Sequence, residues 1–162
     1  MKKRTHRKHW PLTSPIALAI DGARVIDDGR LDKLRLLELS AIQAFATGAA
    51  TQDDWRTVAD VSNIAQTMCA MGIGPEVLPA TEAVEQVLAD AHSRFTATGK
   101  VGTTGPGLHA MRELQEWHHL QRTSVSRSVY EAALVRTRNR IRSAHPSVKV
   151  YLSPSPQGAP AA

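Results

Sequence analysis

The chain has 162 residues, 42% of them hydrophobic and 22% charged, the size of one domain and the composition of an ordinary folded protein rather than a fibrous or wholly disordered one. One cysteine excludes an internal disulfide and a cysteine-based zinc site, and no apolar run approaches the ~20 residues that cross a bilayer. A net charge of +5 points to polyanionic or acidic partners before small neutral ligands.

Residues 1–10 lack apolar periodicity and read as a mobile basic arm ending near Trp10-Pro11. The arm imitates the start of a secretion signal. The apolar stretch behind it, Ile16 to Ile20, is only five residues long and stops at Asp21, so the chain reads as cytoplasmic. Ser14-Pro15 is a helix start, and a first helix is predicted from residue 15 to about 26. A second runs from about 31 to 47, with Leu34, Leu37, Ala41 and Phe45 on its buried face and Gly48 as its stop.

A third starts after Thr51, whose hydroxyl suits an N-cap, with Asp53 and Asp54 at the positive helix end. Its stripe is Trp55, Val58, Ser62, Ala65 and Cys69, and Gly72-Ile73-Gly74-Pro75 ends it. The cysteine is expected to be buried and inert. The fourth is the clearest: Val84, Val87, Leu88, Ala91 and Phe95 share one face, and Gly99 follows. A glycine-rich connector then leads to a fifth helix, about 108 to 121, with Ala110, Met111, Leu114, Trp117 and His118 facing one way.

Ser128 and Glu131 have capping-box spacing for a sixth helix carrying Tyr130, Ala133, Leu134, Thr137 and Ile141 to about residue 144. The alternative is continuity with the fifth helix through Thr123-Ser124. Residues 148–152 alternate weakly like a strand, and the tail with Pro154, Pro156 and Pro160 reads as disordered. The expected fold is therefore all-α: a compact bundle of five to six helices over residues 13–145, between a basic arm (1–12) and a Pro-rich tail (146–162).

The candidate chemistry is sparse. Glu116-Trp117-His118-His119 contains one E-x-x-H, the spacing that di-iron bundles use twice. The helical wheel turns His109, Glu113 and Glu116 away from Met111 and Leu114, toward water, and leaves His118 as a half-buried packing residue. No metal and no cofactor is expected on that pattern. Residues 102–107 hold three glycines without the Lys-Ser/Thr pair of a phosphate-binding loop, so they read as a connector. No Gly-x-Ser-x-Gly elbow is present, and no catalytic residue is assigned.

Charge distribution is more informative. Residues 1–10 hold five Lys/Arg and no acid, residues 11–117 hold eight against fourteen, and residues 118–162 hold seven against one. An acidic body thus carries two basic ends. The candidate binding residues are Lys2, Lys3, Arg4, Arg7 and Lys8 in the arm, and Arg136, Arg138, Arg140 and Arg142 in the last helix. Arg138 and Arg142 fall on one flank of the apolar stripe, Arg136 and Arg140 on the other. The bland reading is that these arginines cover the core edge with their stems and stabilise a helix C-terminus. It does not explain the arm, which has no helix to stabilise. No tight helix-turn-helix with a polar recognition face is evident, so charge-driven docking is expected without sequence reading.

The layout resembles small uncharacterised helical proteins carried by proteobacterial prophages and plasmids. The likeness lies in KKRTHRK, in PIALAIDGA, and in the central segment TQDDWRTVADVSNIAQTMCAMGIG, over roughly residues 2–95. It implies a mobile-element accessory protein and transfers no site residues. The expected function is a non-enzymatic regulatory protein docking on nucleic acid or a nucleoprotein complex. The alternative is a phage-encoded inhibitor that binds a host protein of a defence complex, for example a CRISPR effector.

Overall fold

The computed structural model describes residue 23 and residues 28–144. The basic arm, the weak strand, the tail and, apart from the helical residue Ala23, the predicted first helix lie outside the described residues. Within them the chain is all-α: α1 (Asp28–Thr47), α2 (Gln52–Ala70), a single 3-10 turn (Pro75–Val77), α3 (Leu78–Thr98), α4 (Gly105–Thr123) and α5 (Arg127–Ser143).

Each helix boundary has a local cause. Thr51 caps α2 through a full capping box: its hydroxyl accepts from the Asp54 amide, and Asp54 accepts from the Thr51 amide at 2.8 Å. Gly74, at φ +58, opens the 3-10 turn before Pro75. Thr104 caps α4 by accepting from the Gly107 amide, so this helix starts at Gly105, three residues before the expected Leu108. The glycine-rich connector hands its last amides to that first turn.

Short connections make α1 to α4 neighbours, and the helices close into a four-membered bundle. Helix α2 is its hub and packs on all four others. One side of α2 presents Trp55, Val58, Val61 and Ala65 to Phe45, Val84, Leu88, Met111 and Leu114 in the main core. The Trp55 indole donates to the Leu88 carbonyl at 3.1 Å, fixing α2 against α3. The other side presents Met68 and Ile64 to Leu31, Tyr130 and Ala133. Helix α5 therefore lies outside the bundle, against α2. Its Thr137 hydroxyl meets that of Thr67 at 2.8 Å, and Arg140 reaches Asn63 one turn further, so the two helices run antiparallel.

Several expectations change. Leu34 and Leu37 are 37% and 59% exposed, because the buried face of α1 is rotated onto Leu31, Glu38, Ala41, Ile42 and Phe45. Trp117 is exposed and His118, expected to be half-buried, is fully buried: the inner face of α4 is polar, so hydrophobicity misplaces it. Ser128 does not cap α5. The N-cap is Ser126, and Glu131 is taken by Arg127 at 2.8 Å rather than by a backbone amide. The break at residues 124–126 separates α4 from α5, against the continuous alternative.

Thr51→Ala should cost about 1 kcal/mol by exposing the α2 amides, or about 2–4 °C in Tm, while Thr51→Ser keeps most of it. Thermal denaturation of the three proteins checks this; an unchanged Tm for Thr51→Ala would mean the cap is not holding α2.

Candidate functional site

The largest polar assembly among the described residues is internal. Arg122, near the end of α4, has no solvent exposure, and Glu38 on α1 has 7%. The guanidinium grips the carboxylate with both terminal nitrogens, Nη1 to Oε1 at 2.5 Å and Nη2 to Oε2 at 3.0 Å. This two-pronged geometry is the strongest that an Arg–carboxylate pair adopts. Gln115, one turn before His118 and two before Arg122 on the same face, adds a donor to Glu38 Oε2 at 3.3 Å.

His118 completes the inner face. The Gln121 amide nitrogen donates to the Ile73 carbonyl at 2.9 Å, which turns its oxygen toward His118 Nδ1 at 3.4 Å. Nδ1 is therefore the protonated nitrogen of a neutral ring. Burial pushes the His118 pKa down to about 4, and the Arg122 charge adds to the effect. The ring lies 6.2 Å from that of Tyr130 on α5, whose own pKa burial raises. One cluster thus ties α1, α4, α5 and the turn after α2.

Its access decides its chemistry. The gap beside Glu38, Thr57 and Gln115 has a volume of about 10 Å³, room for a single water at most. Ordinary substrates have no way in. The larger hollow, about 410 Å³, lies between the α1–α2 and α3–α4 turns, and Lys100 is the one charged group in its lining. Such a lining holds no acid–base pair.

The E-x-x-H pair, Glu116 and His119, stays on the α1-facing flank of α4. Glu116 is exposed and paired with Arg35 of α1 at 2.8 and 3.0 Å, and His119 is half-buried, its pKa lowered first by burial and then by the Arg35 charge. Among the described residues they are not joined by the further His, Cys, Asp or Glu that a metal site needs. His109 and Glu113 are exposed, as the wheel predicts. Cys69 is half-buried rather than buried. Its thiol donates to the Gly74 carbonyl at 3.2 Å, and burial raises its pKa.

The basic candidates fall into two groups. Lys2, Lys3, Arg4, Arg7 and Lys8 lie outside the described residues. Arg136, Arg138, Arg140 and Arg142 are all exposed on α5, and its single acid, Glu131, is paired with Arg127. Arg140 is anchored: one nitrogen donates to the backbone and side-chain oxygens of Asn63 at 3.0 and 3.1 Å. Arg136 and Arg138 make no hydrogen bond or ion pair among the described residues. Sequence reasoning missed Glu38 and Arg122 altogether. The available signal was an acid interrupting the apolar face of α1 and an arginine aligned with Leu114, Gln115 and His118 on α4.

Comparison with known proteins finds no matching family model, no matching curated protein and no matching solved structure.

Two outcomes are expected of the buried cluster. Arg122→Met alone should destabilise by about 3–5 kcal/mol, since it leaves the Glu38 charge buried without a partner. The double variant Glu38→Leu/Arg122→Met should recover most of that loss in denaturant unfolding, and a double variant as unstable as the single one would refute the pairing. The second outcome concerns pH. His118 titrates near 6.5 when unfolded and near 4 when folded, so the unfolded chain binds more protons between these values. Its contribution is complete above pH 6.5 and lost as pH falls toward 4, on the order of 3 kcal/mol in total. His118→Phe should flatten the stability profile over that window; a wild type equally stable at pH 4.5 and 7 would contradict the assignment.

Proposed function

We propose that the protein works by binding rather than catalysis, as an accessory or regulatory protein that docks on nucleic acid or a nucleoprotein complex through its basic ends. The mobile-element setting is carried over from the resemblance alone. The observation that carries the reading is α5. A helix outside the bundle bears Arg136, Arg138, Arg140 and Arg142, all exposed, and its one carboxylate is already neutralised.

The bland explanation accounts for part of this. Positive charge in a last turn stabilises a helix by ~0.3–1 kcal/mol, which covers Arg140 and Arg142. It does not cover Arg136 and Arg138, which sit before the last turn without an internal partner among the described residues. The buried polar cluster supports the non-enzymatic part, since its titratable groups are at most 7% exposed and the gap beside them has no room for a substrate.

A second reading has its own observation. Leu36 and Leu120 are 66% and 57% exposed on α1 and α4, the antiparallel pair joined by Arg35 and Glu116. Exposed leucines on these two helices suit the alternative, an inhibitor that binds a host protein.

The test is the salt dependence of binding to a plain duplex. Each neutralised phosphate contributes about −0.9 to the slope of log K against log salt. Arg136→Gln/Arg138→Gln should flatten the slope by roughly 2 and leave the Tm nearly unchanged, because both side chains are exposed. Absence of salt-dependent binding in the wild type would end this reading in favour of the inhibitor.

A further inference from the structure

The arginines of α5 are arranged around something. Opposite the buried stripe of Tyr130, Ala133 and Thr137 runs an outer ridge with Val135, 53% exposed, and Asn139, also exposed. Arg138 and Arg142 flank the ridge on one side, Arg136 and Arg140 on the other. Val135 and Asn139 thus form an uncharged ridge with arginines on both sides. On the Arg138 side the Glu131 carboxylate is paired with Arg127, and Arg142, close to the ridge, has an interaction of its own.

That cross-section has a natural complement. A helix with side chains is about 10–12 Å across, and the major groove of B-form DNA is about 12 Å wide between two walls of phosphate. A helix seated there turns one shoulder to each strand and its ridge to the base edges. Arg140, held to α2 by Asn63, uses one of its three nitrogens internally and keeps the other two for a phosphate. The ridge also carries suitable chemistry: an Asn amide pairs with N6 and N7 of adenine, and an apolar side chain meets the thymine methyl. Since α5 packs on α2 alone among the major helix pairs, no other described helix covers this face.

The geometry points to α5 as a helix that enters the major groove of duplex DNA, with the two arginine rows on opposite phosphate walls and Asn139 against adenine. This rests on the nucleic-acid reading above and narrows it to one polymer, one groove and one base contact. Double-stranded RNA is disfavoured, because its major groove is too deep and narrow to admit side chains.

The test uses the full chain and duplexes of about 20 base pairs, an alternating A·T DNA, an alternating G·C DNA and an alternating A·U RNA, read by fluorescence anisotropy at fixed salt. The A·T DNA should bind about 10-fold or more tighter than the RNA and several-fold tighter than the G·C DNA. Replacing adenine by 7-deazaadenine removes the N7 acceptor and should weaken wild-type binding by about 10-fold, while Asn139→Ala should be weaker from the start and insensitive to that change. Its salt slope should match the wild type, since no phosphate contact is lost.

Equal binding of DNA and RNA, with Asn139→Ala indistinguishable from wild type, would overturn groove entry and leave a basic surface that docks without reading. Failure to bind any duplex would overturn both. Salt-dependent binding that ignores 7-deazaadenine would overturn the Asn139 contact.

Discussion

Arg122 and Glu38 are the constraint around which the molecule is arranged. An arginine without solvent exposure must have its charge met inside the protein, and among the described residues Glu38 is the carboxylate that meets it. That carboxylate sits on α1, far away in sequence, so the pair sets the register between the first and fourth helices of the bundle. The remaining polar groups then follow. Gln115 donates to the Glu38 carboxylate as well, and His118 is kept neutral first by its burial and then by the Arg122 charge beside it. Gln121 turns outward to take the carbonyl of Ile73, and thereby closes the turn after α2. Even the glycine there is drawn in: a Cβ on Gly74 would stand 3.1 Å from the Gln121 chain.

What the sequence discloses and what it hides divides along this line. Helices α2 and α3 were legible because their inner faces are apolar. Trp55, Val58 and Ala65, or Val84, Leu88 and Ala91, recur at helical spacing and are buried as that spacing requires. The faces of α1 and α4 were misread for the opposite reason. Their inward positions include Glu38, Gln115, Gln121 and Arg122, which a hydrophobic pattern assigns to water, so the predicted stripes rotated toward Leu37 on one helix and Trp117 on the other. Pattern reading treats each helix alone, whereas a buried ion pair exists only between two. The same limit explains Ser128: the spacing to Glu131 is correct for a capping box, but Arg127, one turn back, competes for that carboxylate and takes it.

The arginines of α5 were legible as a set because nothing inside the fold alters their spacing. Flank assignment needs only 100° per residue, and burial of Tyr130, Ala133 and Thr137 fixes which side is inner. What sequence could not supply was the position of the helix, packed on α2 beside rather than within the four-membered bundle. A helix in the bundle would have both shoulders against neighbours. On the outside, it keeps a narrow inner stripe and leaves its outer face to solvent.

That position also separates stability from binding. The contacts that hold α5, Ala133 and Tyr130 against Met68 and the Thr137–Thr67 hydrogen bond, lie on one side of the helix, and the charges lie beyond it. Arg140 belongs to both accounts: its Nη2 bonds to Asn63 tie the helix to α2, and they leave its other two nitrogens unused. A long side chain bound at one nitrogen loses less freedom when it meets a phosphate than one that is wholly unrestrained. On the proposed reading Arg140 would be a pre-positioned contact and Arg136 and Arg138 adaptable ones, so that substitution at Arg140 would disturb the packing of α5 on α2 as well, which substitution at the other two would not.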